Sequence, residues 1–182
     1  MDLFTGKQEK RLWFLVLMVQ AAIFATLGLA GKLVTFIDIR YQEMFSVAVL
    51  VIFVVLIVFS VWAGAKPGRR EIGVAAGIVA AYVMAFIRMG FSPAERTHLF
   101  EYGIVAILVH QALLVRARHG RSVPFPALLA VVLTAFLGLI DELLQFFIPD
   151  RVYDPRDVVF NAFAAFMAVT SGNALRWARK RK

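Results

Sequence analysis

Six apolar blocks divide this chain, and only short polar segments lie between them. A transmembrane helix needs about 20 predominantly apolar residues, and most of the blocks reach that length. Inside lipid a backbone must satisfy its own hydrogen bonds, so blocks of this kind predict α-helices. The predicted spans are residues 12–31, 44–65, 72–87, 97–115, 124–148 and 157–175.

Composition indicates the same class of protein. The 182 residues are 61% hydrophobic and 18% charged, whereas a soluble domain is about 45–50% apolar and about 25% charged. We therefore expect an all-α, polytopic integral membrane protein that forms a single membrane domain over residues 1–182. The first block exceeds the apolar core of a secretory signal, which has about 7–15 residues, so we expect it to be retained as a span.

The formal net charge of +8 has a topological explanation. In a soluble chain it would favour nucleic acid, but here most of the 20 Lys and Arg residues flank the apolar blocks on one side. They lie at the N-terminus, in the second and fourth loops and in the C-terminal tail. The positive-inside rule then predicts that both termini are cytoplasmic. We expect no nucleic-acid partner, and the absence of cysteine excludes thiolate chemistry.

The third block carries small residues at every fourth position, namely Gly73, Gly77, Ala81 and Ala85. This spacing lets two helices approach closely. We expect a helix–helix contact along this small-residue ladder.

The fifth block contains two carboxylates, Asp141 and Glu142, where apolar residues would be expected. Each costs about 2.5–3.5 kcal/mol at the centre of a span, and ionisable groups inside spans usually mark functional sites. Thr134, Gly138, Asp141 and Gln145 lie on one helix face, whereas Glu142 points about 100° away.

Two neighbouring blocks repeat the pattern at similar depth. Residues 88–102 and 140–161 fall on the same, outer side of the predicted topology, so we expect one polar pocket near the outer leaflet. Its candidate ligand-binding residues are His98, Glu101, Tyr102, Asp141, Glu142, Gln145, Arg151, Asp154, Asp157 and Asn161, with Arg96 and Arg156 as secondary candidates.

The residues leave several interpretations open. In one interpretation the carboxylates serve only to pair with Arg88, Arg96, Arg151 or Arg156, and Asp154 and Asp157 are also suited to helix capping. Three functional classes remain: a binding protein for an envelope lipid or precursor head group, an intramembrane enzyme, and a proton-coupled transporter or flippase. The enzyme would use a carboxylate as base, with His98 as acid or as a metal ligand beside Glu101, Asp141 and Asp157.

Binding ranks first among these classes. No nucleophile motif accompanies the carboxylates, so no catalytic residue is assigned. A transporter usually shows internal repeats with broken helices in matched positions, and the sequence has none. We expect no cofactor and no metal, with membrane lipids as the partners.

Two segments carry a resemblance to a known family. The segments ERTHLFEYGIVAILVHQAL and, after a basic turn, LIDELLQFFIPDRVYDPRDVVFNAFAA resemble the VanZ-like proteins of bacteria over residues 88–172. The chain departs from the family at Ala164 and Asp150, where those proteins commonly have glycine. The resemblance implies a role in the bacterial cell envelope, a location in the cytoplasmic membrane and a link to resistance against glycopeptide antibiotics of the teicoplanin type.

Overall fold

A computed structural model describes residues 4–63, 66–88, 93–148 and 154–180, and leaves undescribed the side chains of residues 27–36 and 93–95. These residues form helices and no strand. The six helices are α1 (Lys7–Phe36), α2 (Ile39–Trp62), α3 (Arg69–Arg88), α4 (Pro93–Arg118), α5 (Pro126–Gln145) and α6 (Pro155–Lys180).

Local sequence signals explain where several helices begin. The side chain of Asp38 accepts a hydrogen bond from the backbone N–H of Arg40 at 2.8 Å and caps α2. Asp154 does the same for the N–H of Arg156 at 2.8 Å, immediately before α6. Proline opens α4, α5 and α6, where its fixed φ suits the first helical turn. The capping role that the sequence allowed for Asp154 is therefore present.

Five of these helices are long and apolar enough to cross a membrane, and the chain is thus built as a multi-pass membrane protein. They are α2 to α6, with α4 counted from Arg96. The helices extend beyond most predicted spans by a few residues, because polar residues at a span's end continue the helix into the interface. Whether α1 is a sixth span stays a prediction.

Helix α4 is the centre of the bundle. It packs against α1, α2, α5 and α6, and α6 in turn packs against α3 and α5. The most apolar part of α4 is 61% buried within the chain, against 11% for α2. Helix α4 can therefore keep more of its polar groups away from lipid than α2, on which Ser46 is the fully buried polar residue among those described.

Two ion pairs show which helix ends lie together. Near the start of α1, Glu9 accepts a hydrogen bond from Arg116, near the end of α4, at 3.3 Å. At the end of α6, Arg179 binds Glu71 of α3 at 2.7 Å and the backbone oxygen of Ser60 of α2 at 2.6 Å. We call this end of the bundle, which includes the start of α1 and the end of α6, the terminal face. The membrane side that it occupies stays a prediction.

On the terminal face, the carboxylate of Glu9 accepts several hydrogen bonds. Its side chain is fully buried and accepts hydrogen bonds from the Thr5 amide at 2.7 Å, the Thr5 hydroxyl at 2.6 Å and Trp13 Nε1 at 3.3 Å. Burial by itself would raise the pKa of Glu9. The hydrogen bonds from Thr5 and Trp13 and the charge of Arg116 outweigh that effect, so the pKa lies below its ordinary value of 4.5.

The small-residue ladder of α3 does not form the contact that the sequence predicted. A Cβ added at Gly73 or Gly77 would have no neighbour within 4 Å. The buried side of α3 is a different stripe, formed by Glu71, Ala75, Ile78, Tyr82 and Phe86. The prediction was wrong for packing within this chain, because larger side chains on that stripe fill the space against α2 and α6.

Candidate functional site

One face of α5 is directed into the bundle. Its buried residues are Ala130, Thr134, Gly138, Asp141, Glu142 and Gln145. Apart from Glu142 they recur at three or four positions, which places them on one stripe along the helix. This stripe includes the residues that the sequence placed on one face of the fifth span.

Among the described glycines, Gly138 makes the closest contact with a neighbouring helix, and that helix is α6. A Cβ at Gly138 would lie 2.7 Å from Cβ of Asn161 and 2.9 Å from its Nδ2. Only glycine fits at such a distance, so the Asn161 side chain lies directly on the α5 backbone. Asp141 is one helical turn along the same stripe, and the contact thus brings Asn161 close to the level of the carboxylate.

Asp141 faces α4. Its polar neighbours are Tyr102, His98 and Glu101 of α4 and Gln145 of its own helix. The rings of His98 and Tyr102 stack with centroids 5.9 Å apart and an angle of 11° between their planes. His98 Nδ1 lies 3.9 Å from Glu101 Oε2.

Burial increases from Glu101 through His98 to Tyr102 and Asp141. The Glu101 side chain is 38% exposed and that of His98 is 15% exposed, whereas Tyr102 and Asp141 have no exposed surface. The group therefore leads from the protein surface to a fully enclosed carboxylate.

Five buried polar residues lie here or on the adjoining turns of the packed helices, and we call them the buried polar cluster: Gln20, Tyr102, Thr134, Asp141 and Asn161. They are at most 5% exposed and come from α1, α4, α5 and α6. Gln20 and Asp141 are polar neighbours of the Tyr102 hydroxyl, but neither reaches it with hydrogen-bond geometry. Among the described residues, no side-chain polar atom of the cluster has a hydrogen-bond partner.

That lack of partners is energetically significant. A buried polar group without a partner costs about 1–3 kcal/mol. The atoms concerned are both oxygens of Asp141, both amide heavy atoms of Gln20 and Asn161, and the hydroxyls of Tyr102 and Thr134. Helix packing alone does not require polar residues at these positions, since apolar residues of similar volume would fill them without that penalty. The cluster is therefore the candidate functional site.

Glu142 has a different environment although it is adjacent to Asp141. Its Oε1 accepts a hydrogen bond from Gln145 Nε2 at 3.1 Å, and its Oε2 lies 3.5 Å from the backbone N–H of Asp154. Asp157, in the first turn of α6, is also close. A carboxylate here interacts favourably with the positive end of the α6 dipole. Glu142 thus connects α5 to the start of α6, and the two carboxylates face different helices.

Among the described residues, the arginines do not form the ion pairs with Asp141 and Glu142 that the sequence suggested. Among the described residues, no Arg or Lys lies within ion-pair distance of Asp141 or Glu142. The guanidinium of Arg96 lies over the ring of Phe86, 5.2 Å from its centroid. Arg88 and Arg156 are exposed, and Arg151 lies outside the described residues. The structural interpretation of Asp141 as a partner of Arg88, Arg96 or Arg156 is therefore wrong.

The divalent-metal arrangement considered for His98, Glu101, Asp141 and Asp157 is not formed either. Within the described part of the chain, no three His, Cys, Asp or Glu side chains are grouped as metal ligands. One reason is the position of Asp157, which is a neighbour of Glu142 on the side of α5 that faces α6.

Sequence reasoning did not include Gln20 in the site. A glutamine in the middle of an apolar helix does signal a polar contact inside the membrane, but its partner helix has to be known. Of the other predicted residues, Tyr102, Asp141 and Asn161 belong to the buried polar cluster, and His98 and Glu101 lie beside it. Glu142 and Gln145 bind each other next to it, and Asp154 and Asp157 lie at the start of α6.

Comparison with known proteins identifies no relative. No protein-family model, no curated protein and no solved structure matches this chain.

Proposed function

We propose that this chain is a VanZ-like protein of the bacterial cell envelope that binds the polar head group of an envelope lipid or lipid-linked precursor in its buried polar cluster. The observation that carries the proposal is the presence of five enclosed polar side chains on four helices of one bundle, without hydrogen-bond partners among the described residues. A head group with hydroxyl or amino groups would supply the missing hydrogen bonds.

The composition of the cluster defines the chemistry of the ligand. Asp141 accepts hydrogen bonds or pairs with a cation, Tyr102 and Thr134 donate and accept, and the amides of Gln20 and Asn161 do both. No described Lys or Arg forms an ion pair with this group. The described residues of the cluster therefore suit an amine or a sugar-like polyol, whereas a phosphate would require cations beside them.

The position of the cluster suits a ligand that arrives from the membrane. His98 and Glu101 are partly exposed and lie between the protein surface and the Tyr102–Asp141 pair. With the terminal face in the cytoplasm, as the positive-inside rule predicts, this entrance faces the outer leaflet. An entrance on that side of the membrane agrees with the cell-envelope role that the VanZ-like resemblance implies.

The binding proposal and a purely structural role predict opposite stabilities for Asp141→Asn. A structural carboxylate would lose its partners, and the variant would unfold more easily. Asp141 has no such partner among the described residues, and a charge inside a span costs about 2.5–3.5 kcal/mol at its centre. We therefore expect Asp141→Asn to be as stable as the wild type or more stable in detergent, while it loses its ligand.

Native mass spectrometry of protein extracted gently with its membrane lipids tests this directly. We expect the wild type to retain a non-phospholipid adduct that Asp141→Asn lacks. Glu43→Gln is the matched control, because Glu43 is an exposed acid at the start of α2, and it should keep the adduct. An Asp141→Asn protein that is folded and carries the same adduct would refute the proposal, and so would a wild type that carries only bulk phospholipid.

The envelope role has its own test. A strain that lacks this protein should become more sensitive to a teicoplanin-type glycopeptide. Expression of the wild type or of Glu43→Gln should restore growth, and Asp141→Asn should not. Equal growth of the deletion strain and its parent would remove the support that the resemblance lends to this role.

A further inference from the structure

A second polar site lies at the other end of the bundle, on the terminal face. The last turns of α4 and α6 enclose a cleft of about 850 Å³. Its polar and aromatic lining residues are Gln111, Arg118, Asn173, Arg176, Trp177 and Lys180, and no Asp or Glu is among its described lining residues. Three cations from two helices therefore face one concave surface.

The cations of this cleft differ from their neighbours on the same helices. Arg116 pairs with Glu9, and Arg179 pairs with Glu71. Arg118 and Arg176 are close enough for their like charges to act on each other, and neither forms an ion pair within the described residues. Basic residues that face α1 and α3 are thus neutralised inside the protein, whereas those in the cleft repel one another. A bound anion would remove that repulsion.

Both guanidinium groups are held in place by neutral partners. Arg176 donates to Asn173 Oδ1 at 2.6 Å, and the same nitrogen lies 3.3 Å from His110 Nδ1. Arg118 Nε donates to the backbone oxygen of Leu114 at 3.3 Å. A guanidinium has five N–H donors, so these contacts orient each side chain and leave donors directed elsewhere. A planar pair of donors matches the oxygens of a phosphate group.

The helix dipoles do not argue against an anion here. The C-terminal ends of α4 and α6 each carry roughly half a negative charge, and the three cations outweigh them. Arg118 and Lys180 also satisfy the preference for basic residues in a last turn. That preference does not explain Arg176, which lies a full turn before the end of α6 and is held towards the cleft by Asn173.

The aromatic and apolar lining indicates where the anion comes from. Trp177 is 50% exposed at the end of α6, and tryptophan is enriched at the level of the lipid head groups. Leu114 and Ala117 provide an apolar wall beside the cations. A soluble phosphate would make no use of this wall, whereas the acyl region of a lipid would lie against it.

We propose that the cleft between the ends of α4 and α6 binds the phosphate group of an anionic phospholipid from the leaflet at the terminal face. Arg118 and Arg176 hold the phosphate oxygens, and Lys180 adds a third positive charge. Gln111 and Asn173 contact head-group hydroxyls, and Trp177 packs at the glycerol level. This site is separate from the buried polar cluster, and its test does not depend on that proposal.

Tryptophan quenching by brominated lipid tests the proposal with Trp177 as the probe. The protein is reconstituted into phosphatidylcholine vesicles that contain a fixed minor fraction of brominated phosphatidylglycerol or of brominated phosphatidylcholine. The difference between the wild type and Trp177→Phe isolates the emission of Trp177. We expect brominated phosphatidylglycerol to quench Trp177 more strongly, because the anionic lipid is enriched in the cleft.

Charge-matched variants distinguish lipid binding at a specific site from general electrostatic attraction between anionic lipid and a basic protein. The excess quenching should disappear in Arg118→Gln/Arg176→Gln and persist in Arg69→Gln/Arg70→Gln, which removes two exposed charges at the terminal-face end of α3. Loss of the excess quenching in both double variants would refute a specific site in the cleft. Equal quenching by the two brominated lipids would refute it too, and so would excess quenching that persists in Arg118→Gln/Arg176→Gln. Displacement by inorganic phosphate would refute the lipid source. If the double cleft variant fails to fold, the exposed Arg118→Gln alone should give a partial loss.

Discussion

Replacing Gly138 with alanine is the most direct test of how the buried polar cluster is assembled. The new Cβ would lie 2.7 Å from Cβ of Asn161, and contacts become ordinary only beyond 3.4 Å. The Asn161 Cβ is fixed to its backbone and cannot rotate away. Helices α5 and α6 must therefore separate, or one of them must shift, to accept the methyl group.

The expected magnitude follows from the cost of overpacking. Extra methyl groups in a well-packed interior destabilise a protein by about 1–3 kcal/mol. Alanine also favours a helix over glycine by about 0.5–1 kcal/mol, and a control must remove this gain. Gly172→Ala on α6 is that control, because no atom lies within 4 Å of its added Cβ. We expect Gly138→Ala to be less stable than Gly172→Ala by about 1–3 kcal/mol.

Equilibrium unfolding in mixed detergent micelles measures the difference. A double-mutant cycle with Asn161→Gly gives a second readout, because removal of the Asn161 side chain relieves the contact and the two changes become non-additive. Equal stability of Gly138→Ala and Gly172→Ala would show that α5 and α6 are not in contact at Gly138, and the geometry of the cluster would then be incorrect.

Three further predictions concern other parts of the chain. Because the pKa of Glu9 is lower in the folded protein than in the unfolded chain, the ionised side chain stabilises the fold above its unfolded pKa, and this stabilisation is lost as the pH falls through the folded pKa. On acidification the melting temperature of Glu9→Gln should therefore fall less than that of the wild type, and parallel profiles would contradict this. Tyr102→Phe removes a hydroxyl without a partner among the described residues, so stability should be retained or increased while the native mass-spectrometric adduct weakens; a clear loss of stability would indicate an internal hydrogen bond. Cysteine at Asp38 should react with an impermeant thiol reagent in intact cells and cysteine at Gly120 should not; the reverse pattern would invert the topology.

The helical fold was predictable because lipid permits few alternatives. Apolar blocks of membrane-spanning length, such as residues 44–65, can only become helices, and the structure has α2 there. Residues at the ends of the blocks were harder to assign. Arg69, for example, begins α3 although the predicted span starts at residue 72, because a helix continues through the interface where its polar residues reach water.

The site was predictable to the extent that helical periodicity determines it. Thr134, Gly138 and Asp141 lie on one face by spacing alone. The position of Gln20 beside Tyr102 depends instead on α1 packing against α4, which no local pattern encodes. The same holds for Arg96, whose long side chain reaches Phe86 and not Asp141 or Glu142. The predicted helix–helix contact along the small-residue ladder at Gly73 was wrong for a related reason. Small residues show that two helices can approach closely, but they do not show which surface makes the contact.

The central position of α4 has a consequence for how the protein is made. The chain is synthesised from its N-terminus, so α1 is complete before α4 and α5, the helices that it packs against, have been made. Gln20 therefore gains its neighbour Tyr102 only after α4 has been synthesised. Helices α2 and α3 can pack against each other earlier, but a chain truncated before residue 93 would lack α4, the helix that packs against α1, α2, α5 and α6.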